Sequence, residues 1–358
     1  MNVRHDPLLA WAGGIAKKIW PGARIVRSAA LRGDLSTRRF WRITIDGGSA
    51  PSSAILVDLG PDELPGYVRA LRLVSEPLAE PPWLIIHRFL TTLEVPVPAL
   101  YAADRRHRTM LIEDVGETSL VDAVRRQPSE TANLFRLAIE LLLLFHVKGT
   151  LALSERLLPD RIAYDERLFR WEFKEFLDLG CATLHADPTA LTPELDALAG
   201  ELGRLPRVLS HRDFHGQNLF VKRQSGAAIL RVIDFQDALM APAAQDLAVL
   251  LTTRDMGVLI SPAVERRLLD FYYACLTRMG AETLSAEAFL RSYQLCVLQH
   301  AIKMMGRFLM FERSGKPGYS VFVPYTIGQA RRILGGPCAT DFPVLARAFS
   351  VSQVGNRL

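Results

Sequence analysis

"LSHRDFHGQNLFVK", residues 209–222, sets two histidines, an aspartate and an asparagine between two short apolar runs. Val208-Leu209 precedes the polar cluster, and Leu219-Phe220-Val221 follows it as a strand. A segment of this kind can be a metal site, a structural turn or a catalytic loop. His211 and His215 have the i,i+4 spacing that suits zinc on a helix, but the flanking strands deny them one helical face, and there is no H-E-x-x-H pattern. Asp, Gly and Asn are also ordinary turn residues between strands. The wider pattern decides: His211-x-Asp213-x4-Asn218 is followed by the apolar strand Leu230–Ile233, which closes on Asp234. That combination is much harder to reach by chance than any one residue of it, and the loop reads as catalytic.

A carboxylate and an amide on one loop, with a second carboxylate at the end of a neighbouring strand, are what phosphoryl transfer from a nucleotide requires. One aspartate orients and deprotonates the acceptor hydroxyl, and the asparagine oxygen and the other aspartate hold Mg2+ against the phosphates. The kinase catalytic loop has this spacing, H-R-D with an asparagine five residues after the aspartate and a metal-binding aspartate downstream.

The bulk properties agree. At 358 residues, 49% hydrophobic and 23% charged, the chain can bury a sizeable core as one two-lobed unit or two domains, and it lacks the composition of a disordered segment. The net charge of +5 is spread without the basic block that marks a nucleic-acid arm, and it fits a small anionic substrate such as a nucleotide better than a polycation. Cys181, Cys275, Cys296 and Cys338 show no CxxC spacing, so a disulfide framework or zinc ribbon is not expected and a reducing cytoplasm is. Asp6 and Pro7 precede any apolar stretch, so no signal peptide is expected. The most apolar segment, 134–147, contains Arg136 and Glu140 and falls short of the ~20 residues of a membrane span, so it reads as a buried core helix.

Residues 23–60 alternate apolar runs with Gly, Asp and Ser punctuation, and predict a three-stranded antiparallel meander. A helix over 83–94 and strands in "ALYAAD" and "TMLIEDV" follow. From Thr118 the periodicity turns helical, over 119–127, 131–148, 161–180 and 193–204, and again over 243–255, 262–280, 286–313 and 322–334. Strand-like "RVLS", "LFVK" and "ILRVIDF" interrupt it around the polar loop. The expectation is an α+β, two-lobed fold: a β-rich lobe over 1–115 and an α-rich lobe over 116–358, joined near Glu113–Glu117.

"SHRDFHGQN…VIDFQD…AQDLAVLL" resembles the aminoglycoside/choline kinase-like phosphotransferases, whose fold is the protein-kinase-like one. Within that family, "LSTRRFWRI" (35–43), "VIDFQDALMAP" (232–242) and above all "LQHAIKMMGRFLMFERSGKPGY" (298–319) are similar to bacterial N-acetylmuramate/N-acetylglucosamine anomeric kinases. The resemblance implies ATP and Mg2+ as cofactors, with Asp213 as catalytic base and Asn218 and Asp234 as Mg2+ ligands. His211 would orient the loop by hydrogen bonds, and Asp246 would brace it, unless it caps the helix that it begins. Asp237 would touch metal or sugar, or be an exposed turn carboxylate.

"GDLSTRRF" (33–40) stands where a phosphate-covering hairpin belongs, with Gly33 alone of the usual glycines. Ser36, Thr37 and backbone N–H groups could hydrogen-bond phosphate, and Arg38, Arg39 or Arg42 could supply charge; a solvated basic hairpin tip is the alternative. Strand three lacks the phosphate-pairing lysine of V-A-I-K, having Val57-Asp58 there, and the next helix has no mid-helix glutamate to pair with one. Arg39 is the candidate replacement, and the adenine edge would rest on main-chain groups of Ile112–Val115, including Glu113 and Val115.

Over 299–316, Lys303, Arg307, Arg313 and Lys316 stand against Glu312 alone, which favours a neutral or anionic acceptor over a polycation. Lys303 and Arg307 are therefore candidate acceptor-binding residues, or else a solvated helix face. An amino-sugar kinase active in cell-wall recycling is the resulting expectation. A kinase of the aminoglycoside, choline or homoserine type, or a nucleotide-binding pseudokinase, stands as the alternative.

Overall fold

The computed structural model describes residues 7–31, 38–60, 66–73, 80–153, 162–224, 226–281 and 283–351. Five strands form the first sheet: β1 (Arg24–Leu31), β2 (Arg39–Asp46), β3 (Ser53–Asp58), β4 (Leu100–Asp104) and β5 (Thr109–Glu113). They are antiparallel in the order β1-β2-β3-β5-β4. Period-two alternation gives the sheet two apolar faces. On one, Ile43, Ile45, Ala54, Leu56 and Leu111 pack against Leu9, Ala12 and Ala16 of helix α1 (Pro7–Ile19). On the other, Ile55, Val57, Met110 and Ile112 join the main core with Trp83, Leu84, Ile86 and Leu90. These come from a helix that opens with proline in its first turn (Pro82–Thr92). This second face looks onto the helical lobe.

Helix α1 is not visible in the sequence pattern because Gly13 and Gly14 sit mid-helix, each costing about 1 kcal/mol against alanine. The apolar stripe that it buries overrides that propensity. A short helix at Gly66–Ala70 lies between β3 and Pro82–Thr92.

Beyond Glu113 the chain crosses to the helical lobe, where Val221 N donates to Thr118 O at 2.9 Å and fixes the crossing onto the hairpin of β7 (Leu219–Gln224) and β8 (Ala227–Val232). The expected helix over 131–148 is α-helical from Thr131 to Leu143 and continues as a π-helical turn, Leu144–Gly149. The helix expected over 161–180 is broken into Glu166–Glu172 and a π-helical turn at Phe176–Gly180; Asp165 caps the former by accepting from Leu168 N at 3.0 Å. The helix expected from 193 begins at Pro188 behind its Asp187 cap and contains Pro193. A strand that the pattern did not announce, β9 (Leu239–Pro242), pairs antiparallel with β6 (Arg207–Ser210). A 28-residue helix, Ala286–Arg313, forms the spine of the lobe and has its Gly306 against the backbone of Glu175 and Phe176. Short helices at Cys338–Asp341 and Pro343–Val351 are the last of the described elements. All four cysteines are free and buried, and no helix among the described residues is long and apolar enough to cross a membrane.

Candidate active site

Strand β6 ends at Ser210, and the next residues turn tightly enough that Arg212 takes a left-handed backbone, φ 76°. Such a conformation needs outside support in a residue with a side chain. Asp246 supplies it from the first turn of helix Ala243–Thr252. Its fully buried carboxylate accepts from His211 N at 2.8 Å and Arg212 N at 2.9 Å, and it faces His146 Nε2 at 3.1 Å. Asp246 is thus a brace, and the capping alternative falls. His211 is fully buried, with Nε2 at 3.0 Å from Ile233 O, which ties the loop to the segment that carries Asp234.

Within the loop, His215 N donates to Asp213 O and Asn218 N to His215 O, both at 2.9 Å. Asn218 Nδ2 donates to Asp213 O at 2.9 Å, so its amide is oriented with Oδ1 outward and without a donor among the described residues. Ile233 N donates to Asn218 O at 3.0 Å, and Asp234 follows in a left-handed conformation, φ 65°. Asp213, Asn218 and Asp234 are brought together by these links. The oxygens of Asn218 and Asp234 fit a hard divalent cation that takes its other ligands from phosphate and water, as Mg2+ does. No group of three His, Cys, Asp or Glu able to hold a metal exists among the described residues, so the zinc reading of His211 and His215 gains nothing.

Beneath Asp213 lies a buried charge cluster that the sequence did not announce. Glu172, fully buried, meets Arg212 Nη2 at 3.2 Å, Lys303 Nζ at 3.1 Å, Gln299 Nε2 at 3.1 Å and the Tyr164 hydroxyl. Burial raises the Glu172 carboxyl, but Lys303 and Arg212 more than offset it and hold it at about 2. Burial likewise raises Asp213, and Arg212 and Lys303 bring it below its ordinary value. Lys303 is therefore not an open acceptor contact: it is buried by its partners and acts on Asp213 through its field. Arg307 pairs with Glu175 at 3.2 Å and lies over Trp171, so it too is compensated in place.

Asp237 is no exposed turn carboxylate. Arg212 Nη1 lies 3.9 Å away, its side chain is 26% exposed, and burial, reduced by Arg212 but reinforced by Asp213 and Asp234, pushes it up to about 6. The Arg212 guanidinium also stacks 4.0 Å over the Tyr67 ring from the first lobe. Burial lowers His215 to about 4, keeping it neutral at physiological pH. Arg254, also unanticipated, has a left-handed backbone (φ 57°), rests against the rings of Tyr319 and Phe322, and has a charge that reaches His215.

On the nucleotide side the strand register corrects one expectation. Arg39 pairs across the sheet with Asp58 at 2.5 Å and lies over Trp41, on the face that packs against α1 and away from the interlobe face. Arg38 and Arg42 take the interlobe face, where the strand-three side chains are the apolar Ile55 and Val57. Arg42 binds Asp114 through Nε at 2.7 Å and also Glu117, fastening the sheet to the crossing. The Glu113 side chain is used structurally, meeting Lys222 Nζ at 2.5 Å and Arg231 Nε at 3.2 Å. Val115, by contrast, has neither its N–H nor its carbonyl hydrogen-bonded among the described residues. Ser36 and Thr37 lie outside the described residues.

A family model for phosphotransferase enzymes matches residues 29–282. An N-acetylmuramate/N-acetylglucosamine kinase of Caulobacter vibrioides is 27% identical over 329 residues, covering 84% of this chain and 85% of that protein. Among solved structures, an ethanolamine kinase of Plasmodium vivax superposes with a TM-score of 0.60 at 13% identity, over 95% of this chain and 91% of that one. An amicoumacin kinase in complex with AMP-PNP and Ca2+ superposes with a TM-score of 0.56 at 14% identity, over 92% and 94%. The two structures share the two-lobed fold.

Proposed function

The chain belongs to the phosphotransferase enzyme family, and from that premise we propose that it transfers the γ-phosphoryl group of ATP to the anomeric hydroxyl of N-acetylmuramate or N-acetylglucosamine. One observation supports the reaction type above the others: Asp213 and Asn218 share a single turn whose hydrogen bonds run on to Asp234. The acceptor rests on the Caulobacter relative, which matches over most of its length.

In this reading Asp213, ionised because Arg212 and Lys303 outweigh its burial, orients the acceptor hydroxyl and takes its proton. A sugar hemiacetal hydroxyl is more acidic than an ordinary alcohol, so one carboxylate suffices. Asn218 Oδ1 and the Asp234 carboxylate would hold Mg2+, which would offset the charge of the phosphates. Main-chain groups of Val115 take the adenine edge, and Asp237 and Arg254 border the acceptor. The apolar Ile55 and Val57 favour a second reading, a nucleotide-binding regulator, yet such a protein has no need of an Asp213 kept ionised.

ADP release with Mg-ATP, measured across N-acetylmuramate, N-acetylglucosamine, choline and kanamycin, separates the readings. The amino sugars should be turned over. Nucleotide binding with turnover of none of the four would favour the regulator.

A further inference from the structure

The guanidinium of Arg38 is bound to the carboxylate that the proposed function gives to Mg2+. Nη2 donates to Asp234 Oδ1 at 3.0 Å and Nη1 to Gln236 Oε1 at 2.9 Å, while Gln236 Nε2 donates to the same Asp234 oxygen at 2.9 Å. The three side chains form a closed ring. It joins the first residue before β2 to the end of the β8 segment, across 196 positions of sequence and from one lobe to the other. Arg38 reaches the cleft because strand alternation puts it on the opposite face from Arg39. Asp234 has carboxylate company: both it and Asp213 act on Asp237 and raise it. Three carboxylates facing one cleft repel one another unless a cation stands among them. With the interlobe face of strand three apolar, a mobile charge near the phosphates has to come from elsewhere.

We propose that Arg38 is a stand-in cation. It neutralises Asp234 while the cleft holds no Mg-nucleotide, and it moves to a nucleotide phosphate oxygen when the metal claims that carboxylate. Asp234 holds Nη2 and Gln236 holds Nη1, and the same pair of terminal nitrogens suits the bidentate contact that phosphate accepts. One residue thereby neutralises Asp234 in the empty cleft and supplies the positive charge that the missing lysine would have given. The proposal rests on the assignment of Asp234 to the metal.

The consequence is a pair of opposed affinities. In Arg38→Ala, Mn2+ alone, followed by electron paramagnetic resonance of the free ion without nucleotide, should bind several-fold more tightly than in the wild type, because its competitor has gone. Mg-ATP, followed by calorimetry, should bind roughly tenfold or more weakly, the loss of a charge-assisted contact. Arg38→Lys, which keeps the charge but cannot grip Gln236 and Asp234 together, should fall between on both scales and controls for misfolding. Neither readout needs turnover. Mn2+ affinity unchanged or weakened in Arg38→Ala overturns the stand-in role, and unchanged Mg-ATP affinity overturns the transfer to phosphate, each leaving the kinase reading standing. A wild type that binds no Mg-nucleotide overturns both together.

Discussion

Asp213 sits among influences that pull its carboxyl in opposite directions, and the balance fixes its task. Burial alone would raise it, but Arg212 and Lys303 leave it below its ordinary value, so it is a carboxylate throughout the neutral range. Asp213→Asn should keep Mg-nucleotide affinity and lose ~10²–10⁴-fold in kcat, the usual worth of a general base; single-turnover kinetics at wild-type rate would exclude the role. Asp237 goes the other way, raised to about 6. A carboxyl raised in the fold contributes stability below its unfolded value of 3.8 and loses it as pH climbs through about 6. Asp237→Asn should therefore be the more stable protein at pH 7.5, by up to about 3 kcal/mol for a shift of this size. That advantage should fade toward pH 4 in urea midpoints, and a pH-independent difference would contradict it. His211, Asp213, Asn218 and Asp234 were legible in sequence because one loop and one strand end hold them. Glu172, Tyr67 and Arg254 were not, since each reaches the site from a distant segment. Arg39 lies on the face away from the cleft because neighbouring strand residues face opposite ways, which only the register shows.

At the scale of elements, the loop backbone is held by the helices that back it. Asp246 carries the bracing of Ala243–Thr252 into the loop backbone, and the helix Ala286–Arg313 delivers Gln299 and Lys303 to Glu172. That second helix can lie close because Gly306 has no side chain: a Cβ there would stand 2.3 Å from Phe176 N and 2.6 Å from Glu175 C, both backbone. Glycine to alanine inside a helix is ordinarily favourable by about 1 kcal/mol. Here Gly306→Ala should instead destabilise by roughly 1–3 kcal/mol through overpacking, with the denaturant midpoint lowered and the slope unchanged. A stabilised variant would show that the two segments slide apart freely. Periodicity revealed the long helices well, because apolar residues recur along them. It failed where propensity and packing disagree, as at Gly13-Gly14 in α1, and where an element is too short to show a period, as in Leu239–Pro242.

For the whole molecule, a β-rich stretch followed by a helical one was enough to read the two-lobed α+β fold. What fastens the lobes was not readable. Arg42 with Glu117, Lys222 and Arg231 with Glu113, and Phe235 against Trp83 at 5.2 Å all join parts of the chain far apart in sequence. The acceptor shows the same limit. Counting charges over 299–316 pointed to a basic surface, yet Lys303 and Arg307 meet Glu172 and Glu175 from another part of the lobe. The case for an amino sugar therefore stands on the Caulobacter relative and on the catalytic loop, and phosphorus NMR of the product tests it most directly. After incubation with Mg-ATP and N-acetylmuramate or N-acetylglucosamine, the spectrum should show a sugar 1-phosphate coupled to the anomeric proton, absent with Asp213→Asn. Phosphorylation of choline or kanamycin with no 1-phosphate from either amino sugar would contradict the account.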